Sequence, residues 1–171
     1  MRKSISFFAA LVVMVGFAVR PQAVRAADDD MAKSVCVHTA EWCHGQIQMS
    51  KLAEKSDSVG VRRYATAQVE GFTKMLDECK AFAKEYKYTI PTQMGDKQKD
   101  TYEHLQKWQG PEFDARYMKD QIDEQKAFMD MFEKAAKDAG NKEIRDWSSK
   151  WFKSCRERHD DAIALYEKVK K

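Results

Sequence analysis

Four cysteines, Cys36, Cys43, Cys79 and Cys155, carry the most chemistry in this 171-residue chain. An even number in a chain bound for an oxidising compartment points to disulfides, and four cysteines allow three pairings. A second constellation is Glu41-x-x-His44. Residues at i and i+3 share a helix face, and two such strings with two further Glu build the di-metal centres of helical bundles. The chain has one such string. Glu70, Glu124 and His159 are its candidate companions, for iron, copper, manganese or zinc. The simpler and favoured alternative leaves Glu41, His44 and Glu70 as solvated edge residues. His159 is then a core imidazole satisfied by one buried acid. Cys43, Cys155 and His159 would make a softer set for copper or zinc. Ala40-Glu41-Trp42-Cys43-His44 ends in Cys-His, but Ala40 stands where haem attachment needs a first cysteine. No Gly-x-Ser-x-Gly, phosphate-binding Gly-rich loop or His-Glu-x-x-His is present.

The compartment is read from the first 26 residues. Arg2 and Lys3 precede an apolar run from Ile5 to Val19, and Val24-Arg25-Ala26 offers a cleavage site. This is the pattern of a secretory signal peptide, too short for a membrane span. Of 30 basic residues the leader takes four (Arg2, Lys3, Arg20, Arg25), which leaves 26 against 27 acidic, a net of −1. No basic patch remains to hold nucleic acid or an anionic lipid surface. Residues 27–171 are one domain's worth and bury enough surface for a self-sufficient core. No second apolar stretch approaches membrane-spanning length, and Asp28-Asp29-Asp30 reads as a solvated lead-in.

Positioning those side chains falls to helices. Strand-like alternation is absent, and Lys, Glu, Ala, Gln and Met dominate. A first helix is expected from Ala32 to Lys55, with Val35, His38, Trp42, Gly45, Met49 and Leu52 along one stripe. Ser56-Asp57-Ser58 supplies caps for a second, from Val59 to Tyr86, whose stripe includes Gln68, Phe72 and Cys79. Ile90-Pro91 ends it, because the residue before a proline is pushed out of helical geometry. A short connecting helix spans Asp96 to Trp108. Pro111 suits the start of a third long helix, Glu112 to Ala139. Gly140 is the expected left-handed residue after it and Asn141 the cap of the last helix. Short links make two antiparallel hairpins, and an up-down-up-down four-helix bundle is expected.

Hairpin geometry then selects a pairing. Cys36 and Cys79 lie almost equally far from the turn near residue 57, so at about 1.5 Å per residue they are level. Cys43 lies as far from that turn as Cys155 lies from Asn141, and the two are level if both hairpins turn at the same end. Cys36–Cys79 and Cys43–Cys155 are the expected bridges, each worth about 2–4 kcal/mol.

A further set of residues resembles a known group. Phe113-Asp114-x-x-Tyr117, Gln121, Gln125-Lys126, Phe132-Glu133, and His159 followed by Ala162 and Leu165 resemble the exported bacterial family called domain of unknown function 4142. Gln48-x-x-x-Leu52-Ala53 and the stretch from Lys84 to Pro91 agree with it. The resemblance covers roughly residues 34–168. It implies a ferritin-like four-helix bundle and export, and no settled activity. Relatives often carry an Asp-His pair on the second and on the third long helix, with a His on the last. Here those positions read Gly71-Phe72 and Glu124-Gln125, and only His159 matches. The resemblance therefore makes a metal centre doubtful, with disulfides as its replacement staple.

The expectation is a non-enzymatic, disulfide-tied bundle of the periplasm, acting through its surface in envelope stress or as an accessory to another envelope protein. The alternative is a ferritin-like metal binder using Glu41, His44, Glu70, Glu124 and His159. A third reading is a redox-active thiol protein.

Overall fold

The computed structural model describes residues 22–171, with side chains from residue 30 onward. The expected leader, residues 1–26, lies outside the described side chains. Five helices follow one another: α1 (Gln22–Ala53), α2 (Val59–Glu85), α3 (Asp96–Leu105), α4 (Gly110–Asp138) and α5 (Lys142–Val169). No strand occurs among the described residues, and none of their helices is long and apolar enough to cross a membrane. The helix starts follow the capping chemistry of the sequence. Ser58 Oγ accepts from the Val61 N–H, and Asn141 Oδ1 accepts from the N–H groups of Glu143 and Ile144. Pro111 sits in the first turn of α4, where its missing N–H costs nothing. The first helix starts earlier than expected and takes in Asp28-Asp29-Asp30.

Two helix ends differ from expectation. Ala139, in extended geometry, closes α4, and Gly140 is not left-handed. Left-handed backbone appears instead at Lys87, with φ 57°. There the Tyr88 N–H reaches back to the Ala83 carbonyl at 2.8 Å. That six-to-one bond, with a left-handed residue inside it, is a Schellman motif, and it stops α2 before Pro91 can. A side chain in this conformation costs about 1 kcal/mol that glycine avoids. Lys87→Gly is expected to raise the unfolding free energy by about 0.5–1 kcal/mol. Urea denaturation of the two proteins side by side measures it.

The helix directions correct the expected up-down-up-down order. Leu52 and Ser56, at the α1–α2 turn, line the same cavity as Gly110 and Phe113 at the start of α4. At the opposite end the Tyr86 hydroxyl donates to Glu143 at 2.7 Å, which places the end of α2 beside the start of α5. Thus α1 runs up, α2 down, α4 down again and α5 up. Residues 86–109 climb the full length of the bundle between α2 and α4. Periodicity reports which face of a helix is buried; it is blind to the direction of a long connection. Gly45 makes the climb possible. A Cβ there would lie 2.5 Å from Cβ of Gln98, so α3 packs directly on the α1 backbone.

The interior has three storeys. The lower apolar cluster includes Trp42, Phe72, Phe132, Ile144, Trp147 and the four cysteines. The upper one is built on Met49, Val61, Leu105, Phe113, Tyr117 and Met118. Between them lie four buried glutamines, Gln46, Gln68, Gln121 and Gln125. Gln121 Nε2 donates to Gln46 Oε1 at 2.7 Å, and Gln125 Nε2 donates to Gln68 Oε1 at 3.3 Å. The Tyr117 and Ser50 hydroxyls bond at 3.0 Å just above. An amide belt therefore crosses the core. Gln46 Nε2, Gln121 Oε1 and Gln125 Oε1 have no partner, and shifting a helix by one turn would break the amide bonds that do form, so the belt favours this register.

The hairpins meet along α1–α4 and α2–α5. On the second seam, Glu78 Oε2 accepts from the indole N–H of both Trp147, at 3.1 Å, and Trp151, at 3.0 Å. Lys150 Nζ lies 2.6 Å from the other oxygen of the same carboxylate.

Candidate functional site

All four cysteines are fully buried thiols in the structure. Cys36 and Cys79 are in contact across α1–α2. Cys79 Sγ donates to the Cys36 carbonyl oxygen at 3.0 Å, and the two thiols also hydrogen-bond each other. That bond draws the Cys36 thiol below its ordinary range and, with burial, pushes Cys79 above it. Cys43 is close enough to Cys155 to feel its charge. Burial pushes Cys43 well up and Cys155 up to about 12, with the Arg158 guanidinium opposing both. Three of the four are thus poor thiolates, and none is open to solvent. Neither property suits a thiol that exchanges with small disulfides.

The premise used to level Cys43 with Cys155 does not stand. The two turns lie at opposite ends of the bundle, so the assumption of a shared end fails. The long helices run about 28 residues, however, and fourteen residues from either end is mid-height.

The acid and histidine candidates disperse. Glu41 and His44 share a face of α1, as i and i+3 must, but that face looks at the crossover. The Glu41 carboxylate abuts Gly95, and His44 hydrogen-bonds the Pro91 backbone. Burial and the nearby Lys80 charge lower the His44 basicity. Glu70 is exposed on α2. Glu124 is buried and salt-bridged to Lys97 Nζ of α3 at 2.7 Å. His159 is mostly covered, with Nδ1 3.6 Å from Asp160 Oδ1. Among the described residues, no three His, Cys, Asp or Glu side chains converge on a point that would hold a metal ion. Cys43, Cys155 and His159 do not form such a group either.

At the α2–α5 seam stands a half-buried cation of the chain's own. The Arg158 guanidinium occupies the space that a Cβ on Gly71 would need. It lies 5.2 Å from the Phe72 ring and 5.8 Å from the Trp151 ring, and its Nη1 is buried without a partner. A positive charge there opposes a metal cation at the same level. The missing side chain at Gly71 frees the space that Arg158 takes.

Asp120 is a titrating group that spacing did not reveal. Burial, followed by the charges of Asp123 and Glu124, raises its carboxyl to about 6. The folded protein therefore holds this proton more tightly than the unfolded chain, whose carboxyl titrates near 3.9. Stability falls as pH rises through the window from about 4 to about 6. Asp120→Asn is expected to stabilise by about 1–2 kcal/mol at pH 7.5 and to bring almost nothing at pH 3.5. Denaturant midpoints at the two pH values test this.

The Phe113-Asp114-x-x-Tyr117 element sits at the upper end of the bundle and joins three elements. The Phe113 and Tyr117 rings are near-parallel at 6.0 Å. Tyr117, fully buried, bonds Ser50 of α1. The Asp114 carboxylate bonds the Ser56 side chain in the α1–α2 turn, while its Oδ1 has no partner. Tyr117 and Asp114 thus tie α4 to the first hairpin.

A family model described as Domain of unknown function (DUF4142) matches residues 18–165. No curated protein and no solved structure matches the chain.

Proposed function

On the premise that this chain belongs to the DUF4142 family, we propose that it is an exported, non-enzymatic helical bundle of the bacterial cell envelope. Two disulfides, Cys36–Cys79 and Cys43–Cys155, hold it closed, and it acts through its surface on another envelope protein. The observation that supports the reading is the burial of all four cysteines, with Cys79 in contact with Cys36 across α1–α2 and Cys43 within electrostatic reach of Cys155. The single full-length crossover supports a ferritin-like connection. The bundle's middle holds buried amides, and the Arg158 guanidinium packs beside them against Gly71. A thiol reading is disfavoured because the sulfurs are buried and mostly hard to ionise.

The test is to recover the protein from the periplasm of an expressing bacterium. Intact mass is expected to show a chain beginning at Ala27, with no thiol titratable after unfolding without reductant. Elemental analysis is expected to show far less than one metal per chain. A cytoplasmic full-length chain with four free thiols would overturn the proposal. So would a stoichiometric metal that a His159→Ala variant loses.

A further inference from the structure

We infer that maturation of this chain requires a disulfide isomerase, a catalyst that moves a bridge from one pair of cysteines to another. This rests on the export and the pairing proposed above, Cys36–Cys79 and Cys43–Cys155. Those bridges interleave along the chain, so neither joins cysteines that are neighbours in sequence. A chain exported from its N-terminus presents Cys36 and Cys43 first, then Cys79, and Cys155 last. Most helical stability comes from packing, so α1 is not held helical until α2 joins it. In the unpacked segment Cys36 and Cys43 are seven positions apart, against 43 for Cys36 and Cys79. Loop closure weakens as the three-halves power of length, which favours the short loop by roughly fifteenfold.

The short bridge and the fold exclude each other. Both cysteines lie within α1, two turns apart, about 10 Å along the axis. A disulfide tolerates no more than about 7 Å between its Cα atoms. A Cys36–Cys43 link therefore holds the middle of α1 out of its helix. It also strands Ala40 and Trp42, both fully buried in the fold, in a loop exposed to water. The partner this loop fits is a cleft for apolar unfolded chain with a reactive cysteine thiolate beside it. A thiol oxidase makes the short link, its own disulfide being reduced to a dithiol. The isomerase thiolate then attacks the Cys36 sulfur, which forms a mixed disulfide and releases Cys43 as a thiolate. Cys79 gives its proton to solvent and displaces the isomerase sulfur, which leaves as a thiolate and takes up a proton. That exchange closes Cys36–Cys79 with no net oxidation. Cys43 is left for Cys155, and a second oxidase disulfide is reduced as those two thiols join. All four sulfurs are fully buried in the finished fold, so the exchange precedes final packing.

The test exports the full chain in a bacterium with and without its periplasmic disulfide isomerase, the thiol oxidase being present in both strains. Bridges are mapped by digestion without reductant and mass spectrometry. Without the isomerase, the form carrying both proposed bridges is expected to fall at least about fivefold, and a Cys36–Cys43 peptide to take its place. A variant with Cys43→Ala and Cys155→Ala cannot form the short link. Its Cys36–Cys79 bridge is expected at the same yield in both strains. Equal yields of the doubly bridged parent in the two strains overturn the inference and leave the pairing standing. A variant that depends on the isomerase as strongly as the parent overturns it too. Four free thiols in both strains overturn the pairing itself, and the inference with it.

Discussion

Replacing Cys43 and Cys155 together by alanine is expected to lower the unfolding free energy of the oxidised protein by about 4 kcal/mol. The bridge would close a loop of roughly 110 residues, and loop-closure entropy makes long loops the ones that gain most. It would also be the covalent link between the hairpins, since Cys36 and Cys79 both belong to the first. Under reducing conditions the variant and the parent are expected to converge to within about 2 kcal/mol, the residue being lost sulfur packing. Guanidinium denaturation with and without reductant separates the covalent contribution from the packing one. An oxidised parent no more stable than its reduced form would show that the bridge does not constrain the chain.

Trp42→Ala is expected to cost about 3–5 kcal/mol. Trp42 is fully buried and lies flat on Phe128 of α4, with centroids 3.7 Å apart and planes 8° apart. Its other side meets Phe72 of α2 edge-on at 4.9 Å. One side chain thus joins α1, α2 and α4 just below the amide belt, and its removal leaves a cavity that three helices would have to collapse to fill. The indole N–H has no partner, so shape rather than hydrogen bonding carries the effect. Trp42→Phe is accordingly expected to cost only about 1–2 kcal/mol. Thermal denaturation ranks the two, with the alanine variant melting roughly 10 °C below the parent.

Much of the helix plan was legible because local chemistry writes it. Ser58, Asn141 and Pro111 mark helix starts through orphan N–H groups, and each does so here. On the last helix Ile144, Trp147, Trp151, Cys155 and Ala162 are buried, and His159, Tyr166 and Val169 of the same stripe are half-buried. What failed depends on long-range geometry. The direction of α4 is set by residues 86–109, whose polar composition shows a connection but not its course. That course also decides the Glu41 and His44 face, which the crossover covers. Lys87 was invisible because a lysine in left-handed backbone has no sequence mark of its own.

The amide belt was half legible. Gln68 falls on the α2 stripe, and Gln121 and Gln125 follow Tyr117 at steps of four. Polar residues at apolar spacing are the signal that several helices share a buried polar layer. Glu78 could not be found this way. Its two indole partners, Trp147 and Trp151, lie on another helix nearly seventy residues or more along the chain. The inward Arg158 is legible only together with Gly71, since neither residue explains the other's position alone.

In the proposed bundle one sulfur bridge closes the first hairpin and a second joins it to a hairpin that points the opposite way. Proteolytic digestion without reductant, followed by mass spectrometry of the linked peptides, tests it most directly. The account requires one species linking Cys36 to Cys79 and another linking Cys43 to Cys155. A Cys36–Cys43 or Cys79–Cys155 link, or four unlinked thiols in protein taken from the periplasm, would contradict it.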